Sequence, residues 1–310
     1  MIASAFHTDE LTAQARAGLK AGGAGIRTFM PDQHRTFFAM LPIIYVSSLD
    51  VEGWPLASVL TGAPGFVQSP DPATLRIEAR HDANDPAAGT LRVGDEVGIL
   101  GLDLATRRRN RANGRVAMID ANGFTVAVRQ SFGNCPQYIQ RRIVYSGSSP
   151  SAPVKSFTSL DDEARKIVVG ADTFFVASRS RPELGDAGGA DISHRGGWPG
   201  FVDVAGNTLS IPDFRGNRYF NTLGNFVGEP RASLLFLDFE TGDLLQLQGM
   251  AQVDWSQEAA QRFAGAERLW HFEVKRGWLR RNAVPLRWSF VDYSPVTLQT
   301  GNWLVPPSVK

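Results

Sequence analysis

The sequence predicts a mainly β chain with peripheral helices, an α+β fold built from two tandem copies of one β-barrel unit. Two observations carry that expectation. Strand-like runs separated by turn residues follow one another with few helices between them, the pattern of a barrel. A shift of 135 residues then lays one half of the chain on the other: Gly62-Ala-Pro-Gly-Phe-Val67 falls on Gly197-Trp-Pro-Gly-Phe-Val202, Leu102-Asp-Leu-Ala-Thr106 on Leu237-Asp-Phe-Glu-Thr241, Gly114 on Gly249 and Ser58 on Ser193. One offset that aligns several separate landmarks signals an internal repeat. The implied boundaries are an N-terminal helical segment 1–29, a first barrel 30–145, a linker 146–157 and a second barrel 158–310 with a C-terminal tail.

Taken in order, Thr8 is placed to cap a helix running to about Leu19, with Asp9 and Glu10 in its first turn where the helix dipole favours carboxylates. Gly22, Gly23 and Gly25 break it, and they make no dinucleotide fingerprint because no strand precedes them. A short helix is predicted around Pro31 over 30–40, and strands at 43–48, 56–60, 63–67, 74–79 and 96–104. A hairpin joins 115–119 to 124–129 around the turn Asp120-Ala-Asn-Gly123. With small insertions, Phe37-Phe38 matches Phe174-Phe175, each pair leading into a strand. Ser, Gly and Pro over 146–153 suit an exposed connection, and Ser159 with Asp162 makes a capping-box-like start for a helix 160–169.

Composition narrows the class of function. With 43% hydrophobic and 20% charged residues the chain reads as an ordinary globular protein, and no apolar run is long enough to span a bilayer. The N-terminus lacks a cationic start and apolar block, so no secretory signal is expected, and a single cysteine, Cys135, suits a reducing cytoplasm. A net charge of +1 gives no reason to expect nucleic acid or an anionic membrane as partner. The five histidines are scattered without metal-ligand spacing, so no metal is expected.

The most informative stretch is 191–225. Strands are predicted at 199–204 and 207–212 around a Gly-Asn turn, and the chain then becomes cationic through Arg215, Gly216, Asn217 and Arg218 before a short helix at 221–226. A strand that delivers Gly, Asn and Arg to a helix N-terminus can cradle phosphate, because free N–H groups and the positive end of the helix favour an anion there. The same residue types also build ordinary surface loops. The first copy reads Arg80-His-Asp-Ala-Asn-Asp-Pro86 at the matching place, with more carboxylates than cations, so the second copy is the one expected to hold an anion. The first copy has instead an Arg-rich segment, Arg107 to Arg111, read as a solvated hairpin tip.

Pro199 to Val202, Ile211 to Asp213, Gly216 to Arg218 and Pro230 to Ala232 together resemble the pyridoxamine 5′-phosphate oxidase-like FMN-binding split-barrel superfamily, in its bacterial flavin-nucleotide-binding branch. Asn113-Gly-Arg-Val116 and Asn134-Cys-Pro-Gln-Tyr-Ile139 are similar to segments of the same family. The resemblance implies an FMN-binding oxidoreductase whose flavin lies in the groove between two barrels. It places Ser193, His194, Arg195 and Gly196 beside the ring or phosphate, Pro212 and Asp213 with backbone near the ring, and Arg215, Asn217, Arg218, Asn221 and Thr222 around the phosphate. The family's oxidases use an Arg-Lys pair where Asn221-Thr222 stands, which leaves the charge to Arg215 and Arg218. They also carry a C-terminal pyridoxamine-phosphate motif that Pro285-Leu-Arg-Trp288 replaces, so that compound is not the expected substrate.

A fused pair of barrels can build within one chain the interface that a homodimer builds across its two-fold axis. The expectation is an intrachain pseudo-dimer with one flavin site, closed by segments around 129–138, reduced by a small molecule such as NAD(P)H, and able to form homodimers besides. The alternative is a non-catalytic flavin- or haem-binding module. Cys135 reads either as a structural thiol or as one facing the ligand, and His194 either as a packed strand-end residue or as a donor to the flavin.

Overall fold

The computed structural model describes residues 5–20, 25–148 and 153–304; Gly22 and Gly23, and residues 149–152 of the expected linker, lie outside the described residues. Helices α1 (Thr8–Arg16) and α2 (Asp32–Met40) precede a first antiparallel sheet of β1 (Ile43–Leu49), β2 (Pro55–Thr61), β3 (Val67–Gln68), β4 (Thr74–Ile77), β5 (Glu96–Asp103), β6 (Arg108–Asp120) and β7 (Gly123–Gly133). After β8 (Arg141–Ser146), β9 (Lys155–Phe157) and α3 (Asp162–Gly170) comes a second sheet. It holds β10 (Thr173–Arg179), β11 (Ala190–Gly196), β12 (Asp203–Ala205), β13 (Thr208–Phe214), β14 (Arg231–Leu237), β15 (Leu244–Asp254) and β16 (Ala266–Arg280), with α4 (Asn221–Gly228) after β13 and α5 (Gln257–Gln261) before β16. A last strand, β17 (Leu286–Asp292), pairs with β8 alone.

The strand order is β2-β1-β5-β6-β7-β4-β3 in the first sheet and β11-β10-β14-β15-β16-β13-β12 in the second, which is one path walked twice. Neither path closes on itself among the described residues, so each sheet is a barrel split along one seam, in a β-rich α+β architecture. The registers agree as well. Ser58 and Ile99 stand opposite Val46, and Ser193 and Leu234 stand opposite Val176, so residues 135 apart occupy matching rungs. Both long hairpins are bulged at the matching glycines, Gly114 and Gly249. A Cβ at Gly249 would run into the carbonyl of Glu273, so only glycine lets the strands approach there. Gly249→Ala is therefore expected to destabilise the fold by about 1–3 kcal/mol, read as a lower urea midpoint.

Local expectations fail where a competing interaction wins. His7, not Thr8, caps α1: its Nδ1 accepts from the N–H groups of Asp9 and Glu10, and the Glu10 carboxylate returns to the His7 N–H. Asp161 rather than Ser159 caps α3, accepting from Ala164 N–H at 2.8 Å. The strand predicted at 63–67 shrinks to β3 because Gly65 turns at φ 97°, and Gly200 at φ 83° does the same ahead of β12. Phe37 and Phe38 lie in α2, whereas Phe174 and Phe175 lie in β10, so that pairing of aromatics was a coincidence of composition. The ladder equivalent of Phe175 is Tyr45.

Each barrel has its own apolar interior, and a third cluster lies between them, with Ile43, Tyr45 and Leu100 from the first and Phe175, Ile192 and Leu235 from the second. Tyr45 and Phe175 stack there with centroids 3.6 Å apart and planes 19° apart. Such a contact contributes about 0.5–1.5 kcal/mol beyond its burial. No helix among the described residues is long and apolar enough to cross a membrane.

Candidate functional site

β11 is an edge strand, and its alternation sends Asp191, Ser193 and Arg195 to one side and Ile192 and His194 to the other. The first set meets the N-terminus of α4, whose cap residue Phe220 offers no side-chain hydrogen bond and sits in the left-handed region at φ 63°. Arg218, two residues earlier, is also left-handed, at φ 61°. Two such residues without glycine's freedom cost on the order of 1 kcal/mol each, a strain often found where backbone is bent around a ligand.

Ser193, Arg195, Asp213, Asn217, Arg218, Asn221 and Thr222 line one cavity of about 70 Å³. His194, Gly196 and Pro212 line a second, smaller one beside it, which also touches Arg195. Arg215 belongs to neither: its side chain is exposed, and its backbone carbonyl accepts from the Tyr138 hydroxyl at 3.2 Å. Asp213 turns its carboxylate, as well as its backbone, into the site, accepting from Arg195 at 3.2 Å and Arg268 at 2.6 Å.

Two cations at the site were not foreseen. Arg268, from β16, is held by Asp213 and stands over the Phe220 ring at 4.9 Å. Arg111 comes from the other half of the molecule. The segment read as an Arg-rich hairpin tip is mostly β6, and only Arg107 occupies the turn, at φ 55°. The period of a strand puts Arg109, Arg111 and Asn113 on one face, and that face docks against β11. Arg111 directs Nη1 at both oxygens of Asp191, at 2.8 and 3.0 Å, and at Asn221 Oδ1, at 3.2 Å, while its Nη2 donates to Ser193 Oγ at 2.5 Å. Ser193 Oγ in turn meets Thr222 Oγ1 at 2.8 Å.

The donor set fits a phosphate group. Four guanidiniums (Arg111, Arg195, Arg218 and Arg268) and two carboxylates (Asp213 and Glu267) line a polar hollow at a helix N-terminus. The Nε groups of Arg111 and Arg195 are buried without an acceptor. The volume admits a group of a few heavy atoms, since a water needs roughly 10–15 Å³ on the same measure. Next to it, sharing Asn221, a groove of about 350 Å³ runs between the two halves past Asn113, Arg129, Gln130 and Asp191.

At the matching place in the first half, side chains of the protein meet one another. Ser58, the counterpart of Ser193, donates to Asp85 at 2.8 Å, and Asp85 is ion-paired with Arg280 at 2.6 Å in full burial. Gln246, the rung equivalent of Arg111, donates to the carbonyl of Ala57 at 2.9 Å. The first half fills its own cradle with a carboxylate.

α1 covers α4 beside the groove. Asn221 donates to Glu10 at 2.5 Å, and burial pushes the Glu10 carboxyl up to about 7, against partial relief from Asn221 and the His7 N–H. Because the folded state holds this proton more tightly than the unfolded chain, Glu10 stabilises the fold below its ordinary value of 4.5 and loses that contribution as pH rises to about 7. His7, which burial pushes the other way, loses stability as pH falls. Subtracting the curve of Glu10→Gln from that of wild type isolates the carboxyl. The variant is expected to gain on wild type by a few kcal/mol, about 3 at most, between pH 4.5 and 7 in denaturant titrations.

No family model matches the chain, and no curated protein matches it. Solved structures similar to it include HupZ of Group A Streptococcus, 13% identical with a TM-score of 0.30, over 38% of this chain and 92% of that one. A protein of Bacteroides thetaiotaomicron described as a candidate for 5-nitroimidazole antibiotic resistance is 11% identical with a TM-score of 0.27, over 45% and 94%. General Stress Protein 26 of Bacillus anthracis is 11% identical with a TM-score of 0.21, over 42% and 96%.

Proposed function

We propose that the chain is an FMN-binding oxidoreductase in which a doubled split barrel keeps one flavin site, with the phosphate in the cradle of the second half and the ring in the groove between halves. The observation that carries this reading is the asymmetry of two otherwise matching places. One is sealed by Asp85 and Arg280, whereas the other is an open hollow of guanidiniums at a helix N-terminus. Bound flavin would supply electron transfer between a small-molecule substrate and a reductant such as NAD(P)H. The residues of the chain would anchor the phosphate, orient the ring and exclude water. Arg129 and Asn113 of the first half border the groove and stand within reach of a ring there.

The second reading is a non-catalytic flavin- or haem-binding module: Arg111, Arg195, Arg218 and Arg268 each have a carboxylate within ion-pair distance, which leaves the buried Nε groups of Arg111 and Arg195 as the donors open to a ligand. A titration separates the readings. FMN is expected to bind at one per chain with a shifted visible spectrum and quenched fluorescence, and anaerobic NAD(P)H is expected to bleach it. A bound flavin that no nicotinamide reduces supports the carrier, a Soret band on haem addition supports the haem module, and no spectral change with either ligand rejects both readings.

A further inference from the structure

The smaller cavity beside the cradle has a character of its own. It measures about 50 Å³, touches Arg109, Tyr138, His194 and Arg195, and no carboxylate of the described residues lines it. Arg109 reaches it from the first half. Its Nε donates to the carbonyl of Cys135 at 3.0 Å and its Nη1 lies 3.2 Å from His194 Nδ1, and among the described residues no acidic group stands within ion-pair distance of it. Among the described residues, Arg109 is the cation of this pocket without a carboxylate to balance it. A guanidinium only donates, so His194 Nδ1 must accept and the ring proton must sit on Nε2. That Nε2–H is buried without a partner, as is the Nε–H of Arg195, and His194 itself is 4% exposed. Burial and the nearby Arg109 and Arg195 hold the imidazole well below its usual value, so it stays a neutral donor. Buried donors without acceptors cost about 1–3 kcal/mol each, which a ligand oxygen would recover.

We infer that the pocket of Arg109, His194 and Arg195 is a second anion subsite, adjoining the phosphate cradle and sharing Arg195 with it, and that it takes an oxyanion of the bound ligand. The inference rests on the reading of the first cavity as a phosphate cradle. The oxyanion has two chemical sources, the second phosphate of a diphosphate-bearing ligand or the carboxylate of a separate small substrate.

Calorimetric titration of the full chain with inorganic phosphate, inorganic pyrophosphate and acetate tests it. Wild type is expected to bind pyrophosphate at least tenfold more tightly than phosphate. Arg109→Met should erase that ratio and leave phosphate affinity within twofold, while Arg109→Lys, which keeps the charge, should retain part of it. Equal binding of phosphate and pyrophosphate, with acetate binding at saturating phosphate and lost in Arg109→Met, also supports the subsite and assigns it to a separate carboxylate. Normal phosphate binding with pyrophosphate and acetate indifferent to both Arg109 variants overturns the subsite and leaves the cradle standing. Acetate binding that depends on Arg109, without phosphate binding, overturns the cradle alone. No binding of any of the three overturns both.

Discussion

Gly216→Asp is expected to lower the affinity of the chain for FMN and for inorganic phosphate by at least tenfold while leaving its thermal midpoint unchanged. Gly216 lies on both the cradle and the smaller pocket, is exposed, and has open space where a side chain would go. An added carboxylate there costs the fold little. It places a negative charge beside Arg195 and Arg218, where it repels an incoming phosphate and competes with it for the same guanidiniums. One tenfold step corresponds to about 1.4 kcal/mol, a modest demand on two anions a few ångströms apart. Gly216→Ser, similar in size and neutral, should bind FMN as wild type does. Arg215→Ala should also be silent, because that side chain projects away from both cavities. Flavin fluorescence titration reads all three, and undiminished affinity in Gly216→Asp would sink the cradle.

A larger effect, on stability, is expected from Asp85→Ala in the opposite half. Asp85 is 1% exposed and Arg280 5%, and the Asp85 carboxylate also accepts from Ser58 Oγ and from Ala87 N–H. Removing it leaves a buried guanidinium whose remaining carboxylate partner among the described residues is the exposed Asp82, at 3.1 Å. Breaking such a pair costs about 3–5 kcal/mol. At this chain length that lowers the thermal midpoint by roughly 5–10 °C. Asp85→Ala combined with Arg280→Met should recover most of the loss, since no unpaired charge then remains. Inorganic phosphate should protect Asp85→Ala more than wild type, because Arg280, Ser58 and Gln246 would then form a vacant copy of the second-half cradle. A midpoint within 2 °C of wild type would show that the pair contributes little.

What could be read in the chain was what local pattern controls. The 135-residue offset is carried by glycines and short apolar runs whose positions the ladder demands, so the repeated strand path was legible from Gly114 and Gly249 or Ser58 and Ser193. The helix 221–226 and the hairpin at Gly123 were legible for the same reason. Arg109 and Arg111 were not, because a run of cations resembles a solvated loop until another surface arrives to bury it. That surface is β11, some 80 residues away in sequence. The spacing of two between 109, 111 and 113 was the available clue. The pair β8–β17 escaped for a similar reason: it joins Val144 to Trp288 and exposes Ile143, Tyr145 and Phe290, so neither strand looks like buried sheet by itself. His7 was overlooked as a cap because ring nitrogens seldom play that part beside Ser, Thr, Asp and Asn.

The ribbon of β8 and β17 ties the segment that ends the first barrel to the strand that follows the second. An ordinary dimer comes apart on dilution, and any site shared between its subunits disappears with it. Here Arg111 and α4 belong to one covalent molecule whose halves are laced together at their ends, so their meeting is an intramolecular event. Ligand affinity should accordingly be the same at nanomolar and at micromolar protein.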